Sequence, residues 1–198
     1  MAESEIEWTE RTWNPSTVCT KVSAGCKNCY AERMAHHLHS MKAPGYENDF
    51  ELTVHPGRLD YPVRVRHPSV FFVNSMPDLF HPAVPDLFIE EVFSRIALSP
   101  RHVFQVLTKR PAKMKRYFAS RSVPANAWLG VSVENVRHGK PRIDDLRSIE
   151  APIRFLSVEP LLEDLGVRGA RTVYGVTRRR TDGFSKGGLG RRCPRRIA

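Results

Sequence analysis

The chain has 198 residues, enough for one domain with or without a tail and for a substantial buried core. A formal charge of +10 would ordinarily point to a nucleic-acid or anionic-surface partner. Residues 1–167, however, hold 21 Lys and Arg against 20 Asp and Glu, whereas residues 168–198 hold 10 against one, so the pI of the whole chain says nothing about its body.

The N-terminal MAESEIEWTERTWNP has neither a basic start nor an apolar run, and no later apolar stretch is long enough to span a bilayer. A cytoplasmic protein with no membrane partner is expected. A short element near Ile6 to Trp13 opens the fold, with Trp8 and Trp13 as packing residues rather than cofactor stackers. Cys19, Cys26 and Cys29 follow with spacing C-x6-C-x2-C. Thiols in a reducing compartment do not become disulfide staples, and three within eleven residues form a soft donor set for one soft metal. Gly25 gives the loop freedom to fold around that centre.

Residues 29–39 read as a helix with Tyr30, Met34 and Leu38 on one stripe, which places the cysteines on a first strand-to-helix connection. Two metals remain open. Zinc would take a fourth ligand from His36, His37 or His39, but His36 stands about 10 Å along the helix axis from Cys29. An iron–sulfur cluster needs no fourth protein ligand. Its fourth iron is then open to a small molecule, which points to catalysis.

Residues 42–68 carry four prolines and two glycines and form an insertion loop, either a lid or a surface excursion, with a short strand at Phe50 to Val54. From there four units repeat one grammar. Val70–Val73 ends in Asn74-Ser75, Val103–Leu107 in Thr108-Lys109-Arg110, Trp128–Val131 in Ser132-Val133-Glu134-Asn135, and Ile153–Leu156 in Ser157-Val158-Glu159. Their starts lie about one strand–helix unit apart, roughly 30 residues. Residues 86–98 put Phe88, Val92 and Ile96 on one helical stripe with Ile89 and Phe93 beside it. A helix starting near Pro111 carries Met114, Tyr117 and Phe118 inward, and Lys113, Lys115 and Arg116 outward as a solvated face.

Continuous apolar strands alternating with helices imply a parallel sheet covered on both faces, as a barrel or a doubly wound sheet. Such folds do chemistry at the carboxyl ends of their strands. Asn74, Ser75, Thr108, Lys109, Ser132, Glu134, Asn135, Ser157 and Glu159 would then share one rim with the cysteines. After Glu159-Pro160-Leu161-Leu162 the rhythm stops. Residues 168–198, which include Cys193, show no period and little apolar content, so they read as a disordered, non-native-looking tail or a basic arm.

Through Ile6-Glu7-Trp8-Thr9, Trp13-Asn14-Pro15, Cys19 to Arg33, Phe72 to Met76, Asp78-Leu79-Phe80, Phe104 to Pro111, Trp128 to Asn135 and Phe155 to Leu162, the chain resembles the phage gene-product-37/68 family. That phage- and prophage-borne family of unknown function looks like a branch of the radical S-adenosylmethionine superfamily. The Leu107-Thr108-Lys109 and Gly130 to Val133 segments are also distantly similar to spore photoproduct lyase. The resemblance implies a partial (βα) barrel over residues 1–167. It implies a 4Fe-4S cluster on Cys19, Cys26 and Cys29, with S-adenosylmethionine on the open iron, cleaved by one electron from a flavodoxin or ferredoxin.

By rim position, Asn74 and Ser75 would meet the amino or carboxylate end of the cosubstrate and Lys109 or Arg110 its carboxylate. Ser132 shares that rim, and Glu134, Asn135 and Glu159 would bond ribose hydroxyls or substrate. Nucleic acid is the first substrate class to consider. The six-residue first gap departs from the commoner three of the superfamily. A further strand ending in a Gly-Gly-Glu-Ser-like turn is not found after Leu165, so a C-terminally truncated or frameshifted copy is expected. The competing readings are a zinc-stabilised nucleic-acid-binding module and an inactive remnant.

Overall fold

The four β-rich runs that start near 70, 103, 128 and 153 form strands, and the amphipathic stretches expected at 29–39, at 86–98 and from Pro111 form helices. In chain order the elements are β1 (Arg11–Trp13), β2 (Ser16–Thr17), α1 (Tyr30–Ser40), β3 (Thr53–Val54), α2 (Tyr61–Arg64) and β4 (Val70–Val73). Then come α3 (Asp86–Ala97), β5 (Val103–Thr108), α4 (Pro111–Phe118), β6 (Ala127–Ser132), α5 (Val136–Arg147) and β7 (Ile153–Ser157). The computed structural model describes residues 6, 8–17, 19–47 and 52–165. The tail 168–198 with Cys193, and Phe50 of the expected strand, lie outside the described residues.

Five strands form one sheet in the order β1-β4-β5-β6-β7, with every neighbouring pair parallel. The order has no reversal, so the doubly wound alternative does not apply. Strands laid down in one direction with right-handed crossovers put their connecting helices on one side, and the core follows that rule. Phe71, Val73, Phe104, Val106, Leu129 and Val131 share one face of the sheet and pack with Ile89, Val92 and Ile96 of α3, Met114 and Tyr117 of α4 and Leu146 of α5. Phe71 stacks on Phe104 across the β4–β5 pair, with ring centroids 5.3 Å apart.

The opposite face is not covered by these helices, contrary to the expectation of cover on both sides. Phe72, Gln105, Trp128 and Ile153 form one cross-strand row there, and Leu107, Gly130 and Phe155 the next. Trp8 lies against Phe72 at 4.7 Å, and Trp128 and Phe155 are half-buried. Among the described residues β1 and β7 are the two edges of the sheet.

Two local expectations need correction. On α1 the buried residues are Ala31 and Ala35, with Met34 and Leu38 half-buried and Tyr30 62% exposed. Small side chains let the helix approach its support closely, and Tyr30, at the first position, turns outward. Nor is the insertion 42–68 a lid or a surface excursion along its whole length. β3 pairs antiparallel with β2, and Leu59, Tyr61 and Val65 pack into the main core. Trp13 Nε1 donates to Arg58 O at 2.8 Å, which seals the loop against β1.

Helix ends are closed by side chains, since the last carbonyls of a helix have no partner within it. Asn126 Nδ2 donates to Ile96, Ser99 and His102 oxygens after α3. Arg154 on β7 donates to Arg147 and Ile149 oxygens after α5.

Candidate functional site

All five strands of the sheet point the same way, so their polar endings lie along one rim. The cysteine loop lies across it. Cys19 follows β2, a single helical turn at Ala24–Cys26 carries Cys26, and Cys29 is the N-cap residue of α1. A Cβ on Gly25 would stand 3.2 Å from Glu134 Cδ, so the absence of a side chain lets the loop backbone press on the end of β6.

The loop is tied down by a charge network that the sequence did not announce. Asp78, buried after β4, accepts from Phe80 N at 3.0 Å, Thr108 Oγ1 at 2.7 Å, Lys109 N at 3.1 Å and Arg110 Nη1 at 3.0 Å. Arg110 then reaches the loop, donating from Nη1 to Cys19 Sγ at 3.3 Å and from Nη2 to Thr20 O at 2.7 Å. His81 Nε2 stands 3.0 Å from Thr20 Oγ1, while its Nδ1 accepts from Ala83 N, which fixes the ring as an Nε2–H donor. Thus β4, β5 and the thiol loop meet at Arg110.

The thiols differ in environment. Burial, reinforced by the Asp78 carboxylate, pushes the Cys19 thiol above its ordinary value against the opposing pull of Arg110. At Cys26 burial acts the same way, but the Val22 and Ser23 backbone amides, the Lys109 charge and the Ser23 hydroxyl outweigh it and bring the thiol below its ordinary value. All three cysteines are free and half-buried. Among the described residues no three His, Cys, Asp or Glu side chains converge as a metal-ligating group. The donor set suits a soft metal in kind and shares one loop. His36, His37 and His39 are exposed on α1, and the imidazole bonded to the cysteine loop is instead His81.

The rim residues separate by what they already bond. Asn74 is buried in the left-handed region at φ 55°. Its amide donates to Ser16 Oγ at 2.9 Å, so it staples β4 to β2. Ser75 donates from N and Oγ to Asn14 Oδ1. Asn135 is the N-cap of α5, accepting from His138 N at 2.9 Å. Glu134 is fully buried and accepts from Arg142 Nη1 at 2.6 Å. Burial would raise its carboxyl, but the Ser23 hydroxyl and the Arg142 and Lys109 charges hold it below the usual carboxylate range. Lys109 Nζ donates to Ser132 Oγ at 3.1 Å, a neutral partner. Glu159 is half-buried two residues beyond β7.

Asp78 and Arg142 are the functional neighbours that sequence reasoning missed. Asp78 had one local signal, a carboxylate accepting from the amide two residues on, as Asp does in turns. Arg142 had none, being one of several cations on α5.

No curated protein and no solved structure matches the chain. A family model described as protein of unknown function, DUF5131, matches residues 3–175, reaching into the segment set apart as a tail. The chain therefore belongs to the DUF5131 family.

Proposed function

We propose that this is an iron–sulfur enzyme of the radical S-adenosylmethionine type, whose sheet is a partial (βα) barrel and whose Cys19, Cys26 and Cys29 hold a 4Fe-4S cluster. The observation that supports it is the position of the loop. All three thiols lie on one segment that crosses the carboxyl ends of parallel strands, bonded to Arg110 after β5 and pressed on Glu134 after β6. Parallel strand–helix folds do their chemistry at that end. Bound there, such a cluster would supply the single electron that cleaves S-adenosylmethionine reductively, drawn from a flavodoxin- or ferredoxin-type donor.

The residues of this chain would do the binding and positioning. Lys109, whose ammonium donates to the Ser132 hydroxyl, is suited to the carboxylate of the cosubstrate, and Ser132 aims it. Asp78 and Arg110 fix the Cys19 limb of the loop. Asn74, Ser75 and Asn135 hold the backbone of the rim in shape, Glu134 braces it through its buried pair with Arg142, and Glu159 supplies a carboxylate for hydroxyl groups. In this reading the chain is a cytoplasmic, phage-type protein.

The test is the metal itself. Protein purified and reconstituted without oxygen should carry iron and sulfide in equal amounts, show charge-transfer absorbance and release 5′-deoxyadenosine from S-adenosylmethionine. Cys→Ala at any of the three positions should remove the cluster. A colourless protein holding one zinc per chain would overturn the proposal in favour of a structural zinc site.

A further inference from the structure

A groove of about 840 Å³ runs between α4, α5 and the segment 80–86, and reaches the cysteine loop at Val22. Its cations are Lys109, Arg110, Lys113, Arg116, Arg137 and Arg142, and its carboxylates are Asp86 and Asp145. Pairing cancels most of these charges. Arg110 is matched by Asp78 and Arg142 by Glu134. Asp86 faces Lys113 at 3.6 Å, and Asp145 faces Lys115 at 3.2 Å.

Two cations are left over. Arg116 on the α4 wall and Arg137 on the α5 wall are exposed and form no ion pair with a carboxylate among the described residues. Lys109, at the inner end, donates to the Ser132 hydroxyl and is close enough to Glu134 to hold that carboxyl low. Unmatched positive charge on both walls suits an extended polyanion better than one small anion. Both wall positions are Arg, whose planar fork matches phosphate oxygens. Pro82, Pro85 and Pro141 add flat apolar surface between the charges.

We propose that this groove binds the phosphodiester backbone of a single-stranded nucleic acid and leads the strand to the rim at Lys109. Net charge plays no part here, since the body of the chain is nearly neutral. The proposal deepens the reading above by naming a substrate class. It rests on that reading only for what happens to the bound strand.

The experiment uses the full chain and fluorescently labelled twelve-nucleotide dT and U strands, read by anisotropy over a series of salt concentrations. The Arg116→Gln/Arg137→Gln double variant, altered only at exposed positions, should fold as the parent does and keep the parent's metal content. It should bind the strands about tenfold more weakly, and its salt slope should fall by about 1.4, at about 0.7 per phosphate contact on a single strand. The same difference should persist in a background carrying Arg178→Gln, Arg179→Gln and Arg180→Gln. Parent-like affinity and slope in the double variant would overturn the proposal, as would tighter binding of a duplex or equal competition by poly-glutamate, which would mark an acidic-peptide site. A protein that binds the strands but carries no iron would sink the cluster reading alone.

Discussion

Glu134 exposes none of its surface, and its Oε2 sits 2.6 Å from the guanidinium of Arg142, itself almost buried. Removing one partner of such a pair strands the other charge away from water. Glu134→Ala should therefore cost about 3–5 kcal/mol, read as a fall in the urea midpoint. Replacing both by apolar residues, as in Glu134→Leu/Arg142→Met, should recover most of that loss. The pair also sets a pH dependence. Because the folded-state value of Glu134 is depressed, its contribution is complete above the ordinary carboxylate value and is lost as pH falls through the lower folded value. Stability curves of the parent and Glu134→Ala should converge as pH falls through that depressed value, and a constant gap would show that Glu134 is not the group responsible. The cysteines and the polar strand endings could be picked out as types of residue at recurring positions. Which of them would be used up by the backbone could not, because Ser75 meets Asn14 from 61 residues away and Arg110 meets Asp78 from 32.

Between elements, the contact that matters most is the one joining the thiol loop to the ends of β4 and β5. Asp78→Ala removes the acceptor shared by four donors and leaves Arg110, only 9% exposed at its side chain, without its counter-charge. The expected result is faster hydrogen exchange through residues 19–23 together with a stability loss of about 3 kcal/mol. Unchanged exchange in the loop would mean that Gly25 and Ser23 alone hold it. A second close approach lies where α5 leaves β6. A Cβ on Gly139 would fall 2.3 Å from Val133 Cγ1, with the Val133 backbone behind it, so Gly139→Ala should destabilise by about 1–3 kcal/mol despite the better helix propensity of alanine. Strand and helix positions were legible because their apolar periods are local. The alanine face of α1 and the buried second half of the insertion were not, since both depend on what they pack against.

For the molecule as a whole, the strand order decides more than the composition does. Four parallel pairings in chain order gather the helices on one face and leave the other lined by Trp8, Phe72, Leu107, Trp128 and Phe155. No helix among the described residues is long and apolar enough to cross a membrane. The overall basicity seen in the sequence gave no guide to the α4–α5 groove, whose unmatched charge emerges only after the internal ion pairs are assigned.

The face of the sheet turned away from α3, α4 and α5 also makes the protein its own optical reporter. Trp13 is sealed in the core, while Trp8 and Trp128 stand half-exposed on the far side of the sheet. Acrylamide should therefore extinguish the red-shifted part of the emission and leave a blue residue from Trp13, and Trp128→Phe should remove much of the quenchable fraction. A spectrum resistant to acrylamide would reveal that another surface rests on those rings in solution.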